Sequence, residues 1–175
     1  MRDDLIGTGT HRGSTHEEKD RRLGEAAGRF RVVNHDCQDA ANLVHVGSSS
    51  CGGECWLNRL WVEADLRITT GFIEPHFYAG FSGGSKALVP GIAGLETVRH
   101  FHRASLIAHP HATWARIFDN PLQALTREMV ALFPPHFIVN VTLNHSKAIT
   151  GIFAGELVAA HNAGCAAALA EATVK

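Results

Sequence analysis

The chain has 175 residues, 45% of them hydrophobic, enough to bury one core and predicting a single α/β domain. A formal charge of -1 without any lysine and arginine run argues against a nucleic-acid surface. Neither a signal peptide nor a long apolar span is present, and the four cysteines form no disulfide framework, so the expected setting is the cytoplasm, away from membranes.

Leu5 to Arg12, LIGTGTHR, reads as a strand end opening into a glycine-containing loop with His11 at its tip. Ser14 to Glu18 holds two overlapping capping boxes and predicts a helix from about residue 15 to 27, stopped by Gly28. Strands are expected over Phe30–Asn34 and Asn42–Gly47, then a Ser/Gly/Cys-rich loop through Glu54. Cys51 and Cys55 lack a matching downstream pair and do not make a zinc ribbon. Trp56 to Val62 reads as a strand passing into a short helix, with both tryptophans at core or boundary positions.

The stretch Gly71 to Gly94, GFIEPHFYAGFSGGSKALVPGIAG, follows the strand-like run Leu66–Thr70 and places an acid, an imidazole, a glycine turn and a lysine within 16 residues. Its six glycines suit a backbone that comes close to a ligand. Gly83-Gly84-Ser85-Lys86 can turn tightly, present backbone N–H groups and offer a mobile amine. It is not a Walker A loop, because the GxxxxGK[ST] spacing is missing. A helix over Leu95–Ala108 would hold His100 and His102 on different faces. Asn120-Pro121 opens a further helix to about Leu132, with Leu122, Leu125, Met129 and Leu132 as a core stripe. A strand over His136–Leu143, a polar turn, an apolar run Ala148–Phe153 and an alanine-rich helix Glu156–Thr173 complete the chain. The alternation predicts an α/β fold with a mostly parallel sheet in Rossmann-like layers and some hairpin content near the C-terminal end.

LIGTGTHR, the VVNHD segment at Val32–Asp36, the Gly71–Gly94 stretch and FIVNVTLNHSKAITGIFAGELVAAHNAGC together resemble the lactate racemase family, from about Leu5 to Cys165. That resemblance implies two α/β domains around a cleft and a nickel-pincer nucleotide, a pyridinium mononucleotide whose sulfur groups hold nickel. It implies that Lys86 is bonded to the cofactor, that His102 completes nickel coordination, and that His11 and His76 alternate as acid and base on a small 2-hydroxyacid. Gly80, Gly83 and Gly84 would shape the loop at the cofactor, and Glu74 would orient a neighbouring group. Cofactor-biosynthesis proteins are implied as suppliers.

The resemblance also implies a longer protein. No counterpart of the family's second domain follows Lys175, and only four residues precede Leu5. The 175 residues are expected to be a racemase-like segment with an incomplete active site, marginally stable or self-associating through bared surfaces. The alternative is a non-catalytic nucleotide-binding or interaction domain of the same descent; an unrelated zinc hydrolase would need two further donors beside His76.

Overall fold

The computed structural model describes residues 3–172. β1 (Asp3–Ile6) enters the glycine loop, and α1 (His16–Leu23) and a 3-10 turn return the chain to β2 (Arg31–Asn34), parallel to β1. Thr15 and Glu18 form the expected capping box, each side chain accepting the other's backbone N–H. The helix stops short of residue 27, because Gly24 takes φ 52° and the chain tightens into the 3-10 turn Gly24–Arg29.

β3 (Leu43–Ser48) and β4 (Glu54–Asn58) pair antiparallel, and Asn58 caps α2 (Arg59–Val62). Trp61 is buried and Trp56 sits at the boundary, 38% exposed. β5 (Ile68–Ile73) leads to a small antiparallel pair, β6 (Pro75–His76) and β7 (Gly80–Phe81). The expected helix over residues 95–108 is two: α3 (Leu95–Phe101) and α4 (Ala104–Ile107), broken at His102-Arg103. α5 (Pro121–Ala131) begins at the Asn120 cap and buries Leu122, Leu125 and Met129, whereas Leu132 lies past its end and is exposed, against Gly47. β8 (Phe137–Leu143), β9 (Ile149–Gly155) and α6 (Leu157–Ala172) follow.

The expectation of a mostly parallel, Rossmann-like sheet is overturned. Among the described residues the strands form four small sheets, with β1–β2 and β5–β8 parallel but β3–β4, β6–β7 and β8–β9 antiparallel. The reason lies in the connections: the turns 49–53, 77–79 and 144–148 are too short for a parallel crossover, which needs about a dozen residues or more. The fold is α/β with mixed sheets and flanking helices.

The main core joins β4, the 88–93 segment, α3 and α5 through Leu57, Leu88, Val89, Phe101, Leu122 and Met129. α6 covers one face of the β5–β8–β9 sheet, where Ile73, Ile138, Asn140 and Thr142 are buried. Gly164 permits that approach, since a Cβ there would lie 2.3 Å from Ile73 Cδ1. The opposite face carries Ile68, Phe72, Phe137 and Ile152, which are 47%, 47%, 41% and 67% exposed. No helix among the described residues is long and apolar enough to cross a membrane.

Candidate functional site

The residues after β5 build the site from glycine turns fixed on buried polar side chains. Gly80 has φ 79°, and a Cβ on it would lie 1.9 Å from the Arg116 carbonyl, so only glycine lets the β6–β7 pair rest on that backbone. α5 holds the same pair through Gln123 Nε2, which donates to the carbonyls of Ala79 and Phe81 at 2.7 and 3.1 Å. Asn120 Nδ2 donates to the Tyr78 carbonyl at 2.9 Å.

Gly83 and Gly84, with φ of 74° and 52°, then open the 3-10 turn Gly84–Ala87 that carries Lys86. Two distant residues clamp its start. The Gly84 N–H donates to Asn140 Oδ1 of β8 at 2.8 Å, and His161 Nε2 of α6 donates to the Ser82 carbonyl at 2.9 Å. The His161 ring fills the space of an absent side chain, 2.5 Å from where a Gly84 Cβ would be.

His102 sits at the end of α3. Its Nδ1 is 2.8 Å from the Val98 carbonyl, which can only accept, so the proton belongs on Nδ1 and Nε2 keeps its lone pair. The Tyr78 hydroxyl donates to that Nε2. Lys86 Nζ lies 5.7 Å from the centre of the Tyr78 ring, and the His76 ring meets the same tyrosine edge-on at 4.6 Å. Tyr78 therefore joins His76, Lys86 and His102 in one cluster.

Charge and burial set the protonation states there. Burial pushes Lys86 down to about 8, with Glu74 acting in the opposite direction. Burial first, and then the charges of Lys86 and His102, push His76 down to about 4, so its imidazole is neutral at pH 7. Burial raises the Tyr78 phenol, which keeps its proton and stays a donor.

The other candidates stand differently. The Glu74 carboxylate is exposed, and its influence on Lys86 is electrostatic. His11 is exposed at the rim of a crevice of about 380 Å³ at the carboxyl ends of β1 and β2, lined also by Arg12, Asn34, Asp36 and Gln38. Its loop is tethered to the end of the Lys86 segment by the Gly9 N–H on the Gly91 carbonyl at 2.8 Å. Among the described contacts, however, no hydrogen bond, ion pair or ring contact joins the His11 imidazole to the Tyr78 cluster. His100 faces away from His102, toward Cys51.

Three residues of this arrangement were not legible as site residues. Tyr78 carried one faint signal, being the sole tyrosine of the chain. Asn140 and His161 carried none, since they lie 56 and 79 positions from the backbone groups they hold.

Among the described residues, no three His, Cys, Asp or Glu side chains converge to hold a bare metal ion. His102 offers a single pre-oriented nitrogen. A metal at this place needs a ligand that brings its other donors, and the partly neutral Lys86 amine beside it suits a covalent tether for such a ligand.

Residues 4–115 match the family described as the lactate racemase N-terminal domain. The chain is 40% identical over 162 residues to the lactate racemase of Lactiplantibacillus plantarum, covering 92% of this chain and 38% of that protein. It is 39% identical over 165 residues to the lactate racemase of Thermoanaerobacterium thermosaccharolyticum, with the same coverage of 92% and 38%. The structure of the apoprotein of lactate racemase from T. thermosaccharolyticum superposes with a TM-score of 0.89 at 38% identity, over 93% of this chain and 39% of that one. A Thermotoga maritima protein superposes with a TM-score of 0.81 over 95% of this chain and 46% of that one; at 23% identity it shows the fold alone. The chain thus spans well under half the length of the curated relatives it matches.

Proposed function

Because this chain belongs to the lactate racemase family, we propose that it supplies the cofactor-holding side of a racemase or epimerase of 2-hydroxyacids that uses a nickel-pincer nucleotide. The convergence of His76, Lys86 and His102 on Tyr78 carries this reading. When bound, the nucleotide would supply a reversible acceptor for the substrate's α-hydride.

The chain's own residues would do the rest. With its pKa near 8, Lys86 has a free amine in about one molecule in ten at pH 7, which makes it a usable nucleophile for a covalent tether. His102 would give its Nε2 to nickel, the Val98 carbonyl fixing the ring's tautomer, and Tyr78 would release that nitrogen to the metal. Gly80, Gly83 and Gly84 would hold the backbone open at the cofactor.

His76 would handle the substrate's hydroxyl proton. Its ring is neutral at pH 7, and its Nδ1 contacts to the Tyr78 and Ala79 N–H groups, 3.5 and 3.3 Å long, cost little to give up. Either nitrogen can therefore carry the mobile proton. His11 is assigned the mirror role for the opposite stereoisomer, from the crevice beyond Gly91. Glu74 would tune the charge of Lys86.

The position of His11 outside the cluster favours one second reading, a domain that binds the nucleotide without turnover. Both readings meet the same test. The chain is co-expressed with the cofactor-synthesis proteins, and intact mass and nickel content are measured beside Lys86→Ala. A cofactor-sized adduct and nickel in the parent, both lost in the variant, are expected; an unmodified, nickel-free parent would overturn both readings. An adduct without racemisation of any of a series of 2-hydroxyacids would leave the second.

A further inference from the structure

Cys51 lies in the turn between β3 and β4, and several side chains converge on its sulfur. Ser49 Oγ is 3.4 Å from Sγ and His100 Nε2 is 3.3 Å from it. The Arg103 guanidinium packs on the same edge of His100 and also interacts with the thiol. The turn is held in place by its own backbone: Ser49 N–H to Gly53 O at 2.8 Å, Gly52 N–H to Ser49 O at 2.9 Å, and Gly53 N–H to Ser49 Oγ at 3.0 Å. From α5, Glu128 grips the N–H and hydroxyl of Ser50. Gly53 leaves the room that His100 fills, since a Cβ there would lie 2.3 Å from the ring.

A hydroxyl donor and a permanent cation both favour thiolate over thiol. The Ser49 hydrogen bond is the largest influence and lowers the Cys51 thiol from its ordinary value; Arg103 adds to it, against partial burial and the more weakly acting Glu128 carboxylate. The other three cysteines go the opposite way. They are buried, which pushes Cys55 and Cys165 up to about 12 and raises Cys37. One exposed sulfur is thus set apart from three shielded ones in the same chain.

We propose that Cys51 is a covalent modification site that exchanges with low-molecular-weight disulfides, with Ser49 and Arg103 holding its sulfur ready to attack. The Cys51 thiolate attacks one sulfur of the disulfide, so that a bond from Sγ forms as the disulfide's own S–S bond breaks. The electron pair leaves on the second sulfur, which takes up the proton that the Cys51 thiol released. The disulfide is the oxidant and is itself reduced to one free thiol, and a second thiol reverses the step. Nothing in this exchange uses the Lys86 cluster.

The test is incubation of the folded chain with oxidised glutathione at pH 7, with the adduct located by peptide mass. One adduct is expected, on Cys51, forming at least about 10 times faster than on any other cysteine and removed by dithiothreitol. Arg103→Gln and Ser49→Ala are each expected to slow it about 3-fold or more, and Arg103→Lys to recover part of the rate. Thermal unfolding of each variant checks that it is folded, and Ser49→Ala carries the test if Arg103→Gln is not. Adducts spread evenly over the four cysteines, or an unchanged Cys51 rate in the folded variants, would overturn the proposal.

Discussion

Two loops carry the histidines assigned to proton transfer, and they are built in opposite ways. The loop with His76, running on to Lys86, is clamped from three elements: Gln123 of α5, Asn140 of β8 and His161 of α6. The loop with His11 is tied at its base, by the Thr8 hydroxyl on the His35 carbonyl at 2.6 Å and by Gly9 on Gly91, and its tip is exposed. On the proposed reading, Lys86, which would form a covalent bond at a fixed distance, sits on the clamped loop, whereas His11, which would only have to reach a proton, sits on the free one.

Gly84→Ala should break the clamped loop most severely. It puts a Cβ 2.5 Å from the buried His161 ring at a φ of 52°, and the expected loss is about 3 kcal/mol, read from the urea midpoint. A variant as stable as the parent would mean that α6 does not press on the Lys86 turn.

Acid sharpens the same contrast. His161 is pushed down to about 4, chiefly by burial with Arg127 adding to it and the Ser82 carbonyl opposing, and His76 is likewise near 4. Between about pH 6.5 and pH 4 the unfolded chain therefore binds protons that the folded chain refuses. Stability should fall as pH drops through that window, by about 3 kcal/mol from His161 and by less from the more accessible His76, and level off for these groups below it. Replacing His161 by Gln should flatten the slope. Equal slopes in the parent and His161→Gln would show that the buried ring does not titrate as its surroundings demand.

The smallest expected effect on stability is that of His11→Ala, within about 0.5 kcal/mol, because its side chain is exposed. On the proposed reading, any racemisation by the cofactor-loaded protein should nevertheless be lost in both directions together, because the two enantiomers share an equilibrium constant of one. Turnover unchanged in both directions would remove His11 from the proton path.

Local signals in the sequence were accurate where the physics is local. The Thr15–Glu18 capping box, the Asn120-Pro121 helix start and the β8 strand all appear within a few residues of where their patterns place them. Failures came where a distant partner decides. The helix through residues 95–108 reads as continuous, yet the chain breaks at His102, whose ring turns back to the Val98 carbonyl and across to Tyr78. Strand direction was misjudged because alternating helices and strands suggest crossovers, whereas the 49–53 turn makes a hairpin. Glycines 80, 83 and 84 suggested backbone close to a ligand, whereas the groups they approach in the structure are Arg116, Asn140 and His161, which no local pattern pointed to.

The open side of the β5–β8–β9 sheet has a practical consequence. Ile68, Phe72, Phe137 and Ile152 make it an apolar wall held against water. Sulfate, which is excluded from protein surfaces and rewards any hiding of apolar area, should salt this polypeptide out at unusually low concentration. Ile152→Lys should raise the sulfate needed, and work on the Lys86 cluster is best done in dilute, sulfate-free buffer.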